Sequence, residues 1–354
     1  MNIQLLWLFI LSCVFNLNTA FSQDLGSSEI SLETTELFRE HEVLSVKLRY
    51  SHKDIRRNTN DSTYIKTDLY YKSKEGLWDT LKVKLRARGN YRLKNCYFPP
   101  VKLKIKKSVA KGTIFEGNKK LKLVLPCLTQ KDLNDNVVKE YIAYKLYEII
   151  SPYHFKTRMV DIDFTEIRSR KETQHELKGI LIEDIDNVAD RHNAKTLKRS
   201  VHPLQQDNIC SVQNDFFQYL IGNTDYSIAY QHNEKLIFVP NKKAMPVPYD
   251  FDMSGLVNAS YAVVSVVQNQ QLDITKVTQR MYRGFKRDEK IYQQVRKEFL
   301  DNKIKMVEIV DSFESSFDNP KEFAKTKKFV LDFFTVLVND SKFNKEILAM
   351  ARTK

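Results

Sequence analysis

Between residues 79 and 107 the chain alternates with a period of two strict enough to dictate its local structure. In "DTLKVKLRAR" (79–88) the even positions Lys82, Lys84, Arg86 and Arg88 are basic, and the odd positions Leu81, Val83, Leu85 and Ala87 are apolar. "PVKLKIKK" (100–107) repeats the pattern, with Lys102, Lys104 and Lys106 opposite Val101, Leu103 and Ile105. Successive side chains of a strand point to opposite faces. Both segments therefore predict strands with one apolar and one cationic face. A solvated face of an antiparallel sheet is the ordinary account of such alternation. Two neighbouring strands of one sign go further, because facing like charges destabilise a pair and a bound polyanion would relieve the repulsion.

The same period marks "VLSVKLRYS" (43–51), "STYIKTDLYYK" (62–72), "KLKLVL" (120–125), "TRMVDIDFTEI" (157–167) and "ELKGILIED" (176–184), the last two expected as a hairpin. Between them, residues 134–151 space Val138, Ile142, Leu146 and Ile149 as a helix does. After residue 185 the texture changes. A helix is expected over 213–222, stopped by Gly222, followed by short strands at 235–240 and 244–249. Helices are expected over 273–285, 287–301, 302–316, 320–339 and 341–352. The layout predicts an α+β protein with a strand-rich part over 42–184 and a helix-rich part over 185–354.

With 354 residues, 42% of them hydrophobic, the chain can bury a full core in one large domain or two lobes. An apolar run from Leu5 to Leu17, then Ala20 and Ser22 before Gln23, predicts a signal peptide over 1–22 and a polar leader over 23–41. Cys13 as a lipoprotein cysteine is the weaker alternative. The expectation is therefore an exported protein (periplasm, cell surface or secreted) with no membrane span in its mature chain. In an oxidising compartment Cys96 and Cys127, at the edges of neighbouring predicted strands, are expected to pair and leave Cys210 free. The formal charge of +13 directs the protein to anions. No nucleic-acid-binding motif accompanies that charge, so nucleic acid is not the expected partner. GxSxG and HExxH are absent from the sequence, which leaves a serine hydrolase or zincin without support.

Two acidic stretches carry the candidate chemistry. "GNTDYSIAYQHN" (222–233) offers Asp225 just beyond the helix stop, with His232 and Asn233 after it. "YDFDMSG" (249–255) offers Asp250 and Asp252. Mg²⁺ and Mn²⁺ take carboxylate and amide oxygens and keep positions open for phosphate. A phosphoryl-transfer site adds a carboxylate that receives or orients a hydroxyl proton. Asp225 as base, with Asn233 and Asp250 on the metal, supplies that set. Turn formation is the plain alternative for each of these residues.

The order of "RARGNYRLKN", "PPVKLKIKK", "KLKLVLPC", "KEYIAYKLYEII", "GILIED", "FFQYLIGNTDYS", "QHN" and "PVPYDFDMSG" resembles the spore-coat-type CotH kinase family over residues 80 to 260. The resemblance implies a two-lobed, atypical protein-kinase-like fold that uses ATP with Mg²⁺ or Mn²⁺. It implies that Lys102 contacts the nucleotide phosphates, with Lys104 on the same face able to exchange roles. Glu140 would pair with that lysine, and Glu183 would lie where the lobes join and adenine sits. Asp225 would be the catalytic aspartate, with Asn233 and Asp250 holding metal. Asp252 would be a second ligand or a turn former.

The departures are specific. There is no GxGxxG, so the Arg-rich connection carrying Arg86, Arg88 and Arg92 is assigned the phosphates. There is no HRD, and DFD replaces DFG. Two functions follow as expectations. One is an exported phosphotransferase acting on a protein or envelope acceptor. The other is an inactive binding module that holds an acidic polymer or partner on its basic sheet face. A helix over 273–285, with Val277, Met281 and Phe285 inward and Arg280 and Arg283 outward, would present further positive charge.

Overall fold

The apolar faces of the predicted strands all meet because the strands close on themselves. A computed structural model describes residues 34–89, 91–129, 133–267 and 270–353. Seven strands, β1 (Leu44–Tyr50), β2 (Ile65–Lys72), β3 (Trp78–Ala87), β4 (Val101–Ile105), β5 (Lys120–Val124), β6 (Thr157–Ile167) and β7 (Glu172–Glu183), form a closed barrel in the order β1-β2-β3-β4-β5-β7-β6. Every pairing is antiparallel except that of β1 with β6, which is parallel and closes the ring. Closure removes the edge strands that an open sheet must protect. The interior is filled by side chains such as Leu81, Leu85, Val101, Leu103, Leu121 and Phe164, all essentially inaccessible. The alternating lysines accordingly face outward.

The helix Leu133–Ile150 leaves β5 and packs against β7 and the helix Lys303–Asp311. Val138, Tyr141, Ile142, Ala143, Tyr144, Leu146 and Tyr147 are all buried, as are the charged Lys139, Glu140 and Lys145, so the helix has no solvent face along this stretch. Beyond Glu183, three short strands, β8 (Lys195–Leu197), β9 (Glu234–Phe238) and β10 (Ala244–Pro248), form a small antiparallel sheet. Helices Asn208–Leu220, Glu289–Asp301, Lys303–Asp311 and Pro320–Leu337 surround a second core that contains Phe216, Tyr282, Tyr292, Phe299, Phe333 and Phe343. Asp207 caps the first of these helices, its Oδ1 accepting the Cys210 N–H at 3.0 Å. The helix ends at Leu220, and Gly222 turns the chain with φ 61°, the left-handed region that glycine enters without steric cost. The described residues belong to one compact unit.

Three expectations are corrected. The overall class is α+β, but the two-lobed kinase-like fold is overturned by the closed, mixed seven-stranded barrel. Each strand was legible singly, whereas the β1–β6 pairing joins segments more than a hundred residues apart and leaves no local trace. The expected helix over 273–285 is an irregular segment containing no helix. Its arginines point inward: Arg280 donates to the Leu220 and Phe329 carbonyls, and Arg283 to those of Thr224 and Tyr226. The acceptors come from three places, the helix end at Leu220, the loop at Thr224 and Tyr226, and Phe329 within the helix Pro320–Leu337. The expected helix 341–352 breaks into a short turn, Asp340–Phe343, and a π-helical turn, Asn344–Leu348.

The signal peptide, Cys13 and the leader up to residue 33 lie outside the described residues. Among the described residues no helix is long and apolar enough to cross a membrane. Cys96 and Cys127 are joined by a disulfide, and Cys210 is free and buried.

Candidate functional site

The chain delivers basic groups to the site from the end of β3. The Arg88 N–H donates to the Pro100 carbonyl at 2.9 Å, and Gly89 at φ 81° turns the backbone into the short helix Tyr91–Asn95. The disulfide at Cys96, with the Tyr97 N–H donating to the Cys127 carbonyl at 2.6 Å, pins that helix to the end of β5. Arg92 is thereby buried, its Nη2 donating to the Leu125 carbonyl.

The acids arrive from the helical side. Beyond Gly222, Asn223 Oδ1 accepts the Asp225 N–H at 2.9 Å, and Arg283 braces the loop through Thr224 and Tyr226. Asn233 Nδ2 donates to the Asp225 carbonyl at 2.6 Å and to Asp225 Oδ2 at 3.0 Å. His232 Nε2 lies 3.4 Å from Asp225 Oδ1, and that contact holds the imidazole pKa above its usual value. The Tyr249 N–H donates to the Asn233 carbonyl at 3.0 Å, so Asn233 ties the Asp225 loop to the end of β10. The next residue, Asp250, stands at φ 68° with its N–H donating to Tyr144 Oη at 3.0 Å. Asn233 is also left-handed, at φ 54°. Non-glycine residues in this conformation are uncommon, and they concentrate at functional sites.

Asp252 and Glu140 lie deeper. Asp252 Oδ2 accepts from Tyr261 Oη at 2.9 Å and stands 3.7 Å from Arg92 Nε. Burial, with help from Asp250, pushes the Asp252 carboxyl up to about 6 against the pull of Arg92. Burial and the neighbouring Asp252 raise Glu140 well above the carboxylate range, again opposed by Arg92. Glu140 Oε1 and Arg92 Nε and Nη1 are buried without hydrogen-bond partners. Buried polar atoms in native proteins nearly always have partners, so these three mark a place for water or ligand.

A cavity of ≈ 610 Å³ opens onto Arg88, Arg92, Asp225, Asn233, Asp250 and Asp252. That volume is ordinary for a small-molecule site. The remaining expected site residues lie elsewhere. Arg86 is held by Asp61 at 2.8 Å and by Tyr64 Oη at 3.2 Å. Lys102 and Lys104 project from the outer barrel face, Lys104 standing 5.8 Å over the Tyr64 ring. Glu183 is buried and takes both guanidinium nitrogens of Arg191 at 2.9 Å, together with the Lys156 N–H at 2.6 Å.

Sequence reading passed over Lys122. Its Nζ stands 4.2 Å over the Tyr249 ring and 4.7 Å over the Phe155 ring. Burial and the nearby Arg88 push it down to about 7, with Asp250 opposing. The signal was present, since Lys122 continues the basic alternation and faces Lys102 in register. His232 and Tyr261 also join the site.

A hard cation fits this donor set. Among the described residues no three His, Cys, Asp or Glu side chains gather as a metal-ligating group. Mg²⁺ needs fewer: one or two carboxylates, completed by water and phosphate. Asp250 supplies a carboxylate that has no hydrogen-bond or ion-pair partner among the described residues. Asn233 supplies only Oδ1, because its Nδ2 is committed to Asp225. No protein-family model and no curated protein matches this chain, so the site stands on its own residues.

Proposed function

We propose that this cleft is a metal-dependent phosphotransferase site that moves the γ-phosphoryl group of ATP to a hydroxyl of a protein or envelope acceptor. The observation that carries the reading is the convergence of Asp225, Asn233 and Asp250 with Arg88 and Arg92 around one cavity. The motif order resembling the CotH kinase family points to the same chemistry. The barrel is not the fold that resemblance implied, so the reading rests on the site alone.

Asp250 and Asn233 Oδ1 would hold Mg²⁺ or Mn²⁺, which supplies neutralisation of phosphate charge when bound. Asp225 is the proton acceptor: its Oδ2 is oriented by Asn233 and its Oδ1 faces His232. An acceptor hydroxyl would pass its proton to that carboxylate as its oxygen approaches phosphorus. Arg88 and Arg92 bring positive charge to the cavity wall, where transferring phosphoryl oxygens need it. The disulfide and the lack of a membrane-crossing helix among the described residues are compatible with an exported enzyme.

Thermal unfolding of the chain with ATP and Mg²⁺ or Mn²⁺ tests binding. A ligand at about 100 times its dissociation constant stabilises the native state by roughly 2.7 kcal/mol. The shift is expected to need the metal and to vanish in Asp250→Ala. Asp225→Asn is expected to keep the shift and lose ADP formation in the presence of acceptor. A wild-type protein whose melting is indifferent to every nucleotide would sink the reading.

A further inference from the structure

The outer face of the barrel carries a second feature, separate from the acidic residues of the cleft. Strand register lines up Lys66, Lys84, Lys104 and Lys120 directly across β2, β3, β4 and β5. Arg86, Lys102 and Lys122 form a parallel row one side-chain repeat away. Neighbouring strands lie about 4.8 Å apart and same-face residues about 6.7 Å. Facing like charges at such separations destabilise a sheet.

Carboxylates offset only part of this charge. Asp61 takes Arg86 at 2.8 Å, Asp68 takes Lys82 at 3.8 Å, and Asp186 takes Lys120 at 3.3 Å. Lys66, Lys84, Lys102 and Lys104 have no carboxylate partner among the described residues. A groove of ≈ 460 Å³ is lined by Lys66, Lys82, Lys84, Lys104 and Lys106, with Asp68, the ion-pair partner of Lys82, as its one carboxylate.

We propose that this groove binds a linear, carboxylate-bearing acidic polysaccharide. The unpaired cations are all lysines, compact point charges that meet spaced carboxylates without the planar fork that arginine offers phosphate. Tyr64, an aromatic ring beside the rows, has Lys104 and Arg86 each 5.8 Å from its centroid. The disulfide points to an oxidising compartment rather than to the nucleus or cytosol. A concave groove accepts a single polymer chain and does not fit a planar membrane.

The test is titration of the full chain, without nucleotide, with alginate at several salt concentrations. Alginate is expected to bind, with affinity falling steeply as salt rises. Each phosphate-contacting lysine of a nucleic-acid-binding protein contributes about 1 to the log–log salt slope. By the same counterion release, the triple variant Lys66→Gln/Lys84→Gln/Lys104→Gln is expected to lower the slope by about 2–3. Its affinity at low salt is expected to fall at least tenfold. The triple Lys→Arg variant is expected to keep binding. The Gln variant is expected to melt no lower than the wild type, since facing positive charges have been removed, which separates lost binding from lost folding. Three results would overturn the proposal: wild type that ignores alginate, binding unchanged in the Gln variant, or tighter binding of oligodeoxythymidylate, polyglutamate or phosphatidylglycerol vesicles.

Discussion

Arg92→Met is the most informative single perturbation, because Arg92 is the cation buried among Glu140, Asp252 and Tyr261. Its charge is raised in pKa only because Tyr261, Asp252 and Glu140 outweigh the penalty of burial. Removing one partner of a buried pair leaves an uncompensated charge and costs about 3–5 kcal/mol. For a chain of this size that corresponds to roughly 6–10 °C in melting temperature, at about 2 °C per kcal/mol.

The loss has a pH signature. Asp252 stands at about 6 in the folded protein against a usual value of 3.8, so it takes up a proton on folding. Its contribution costs nothing below the unfolded pKa, and the cost grows as pH rises to the folded value. A rise from 3.8 to about 6 corresponds to roughly 3 kcal/mol. Without Arg92 the folded pKa values of Asp252 and Glu140 rise further, so the penalty extends to higher pH. Urea denaturation of wild type and Arg92→Met at pH 5 and pH 8 is therefore expected to show the larger difference at pH 8. Asp252→Asn on the Arg92→Met background is expected to recover part of it, a coupling that a double-mutant cycle reads directly. A difference that is absent, or equal at the two pH values, would refute the electrostatic account of this cluster.

Further outcomes follow from other parts of the molecule. Replacing Cys96 and Cys127 by Ala removes a link with sequence separation 31, for which loop entropy predicts a loss of about 3–4 kcal/mol in denaturant titration. Because that link holds the helix carrying Arg92, the nucleotide-induced thermal shift is expected to weaken as well. Burial pushes Asp215 up to about 7 despite Arg352 and Arg287, so Asp215→Asn is expected to flatten the fall in stability between about pH 4 and pH 7. A β-carbon at Gly284 would meet Tyr282 Oη and an Asp215 carboxylate oxygen well inside contact distance. Gly284→Ala is therefore expected to cost about 1–3 kcal/mol, measured by thermal melting.

Much of the secondary structure was written in the sequence, because a period of two or of 3.6 is a local property. The strands β1 to β5 emerged within a few residues of their observed ends, and Gly222 marked the end of a helix. The segment after residue 272 went the other way. Its apolar spacing satisfied a helix, yet Arg280 donates to the Leu220 and Phe329 carbonyls and Arg283 to those of Thr224 and Tyr226. No pattern within that segment could reveal acceptors supplied from elsewhere. The candidate site divides in the same manner. Asp225, Asn233, Asp250 and Asp252 were legible as residue types at turns. That Lys122 rather than Lys102 stands near Asp250 depends on which end of a barrel row turns toward the cleft.

The sequence by itself determined which face of each strand is apolar and which is cationic, since alternation fixes the direction of every side chain once a strand exists. Only the tertiary structure decided that the strands close into a barrel, that Arg92 rather than a lysine sits with Glu140, and that Glu183 is taken up by Arg191. Those outcomes are pairings between distant segments. They are chosen by competition for burial and charge compensation across the whole chain, which no stretch of sequence records alone.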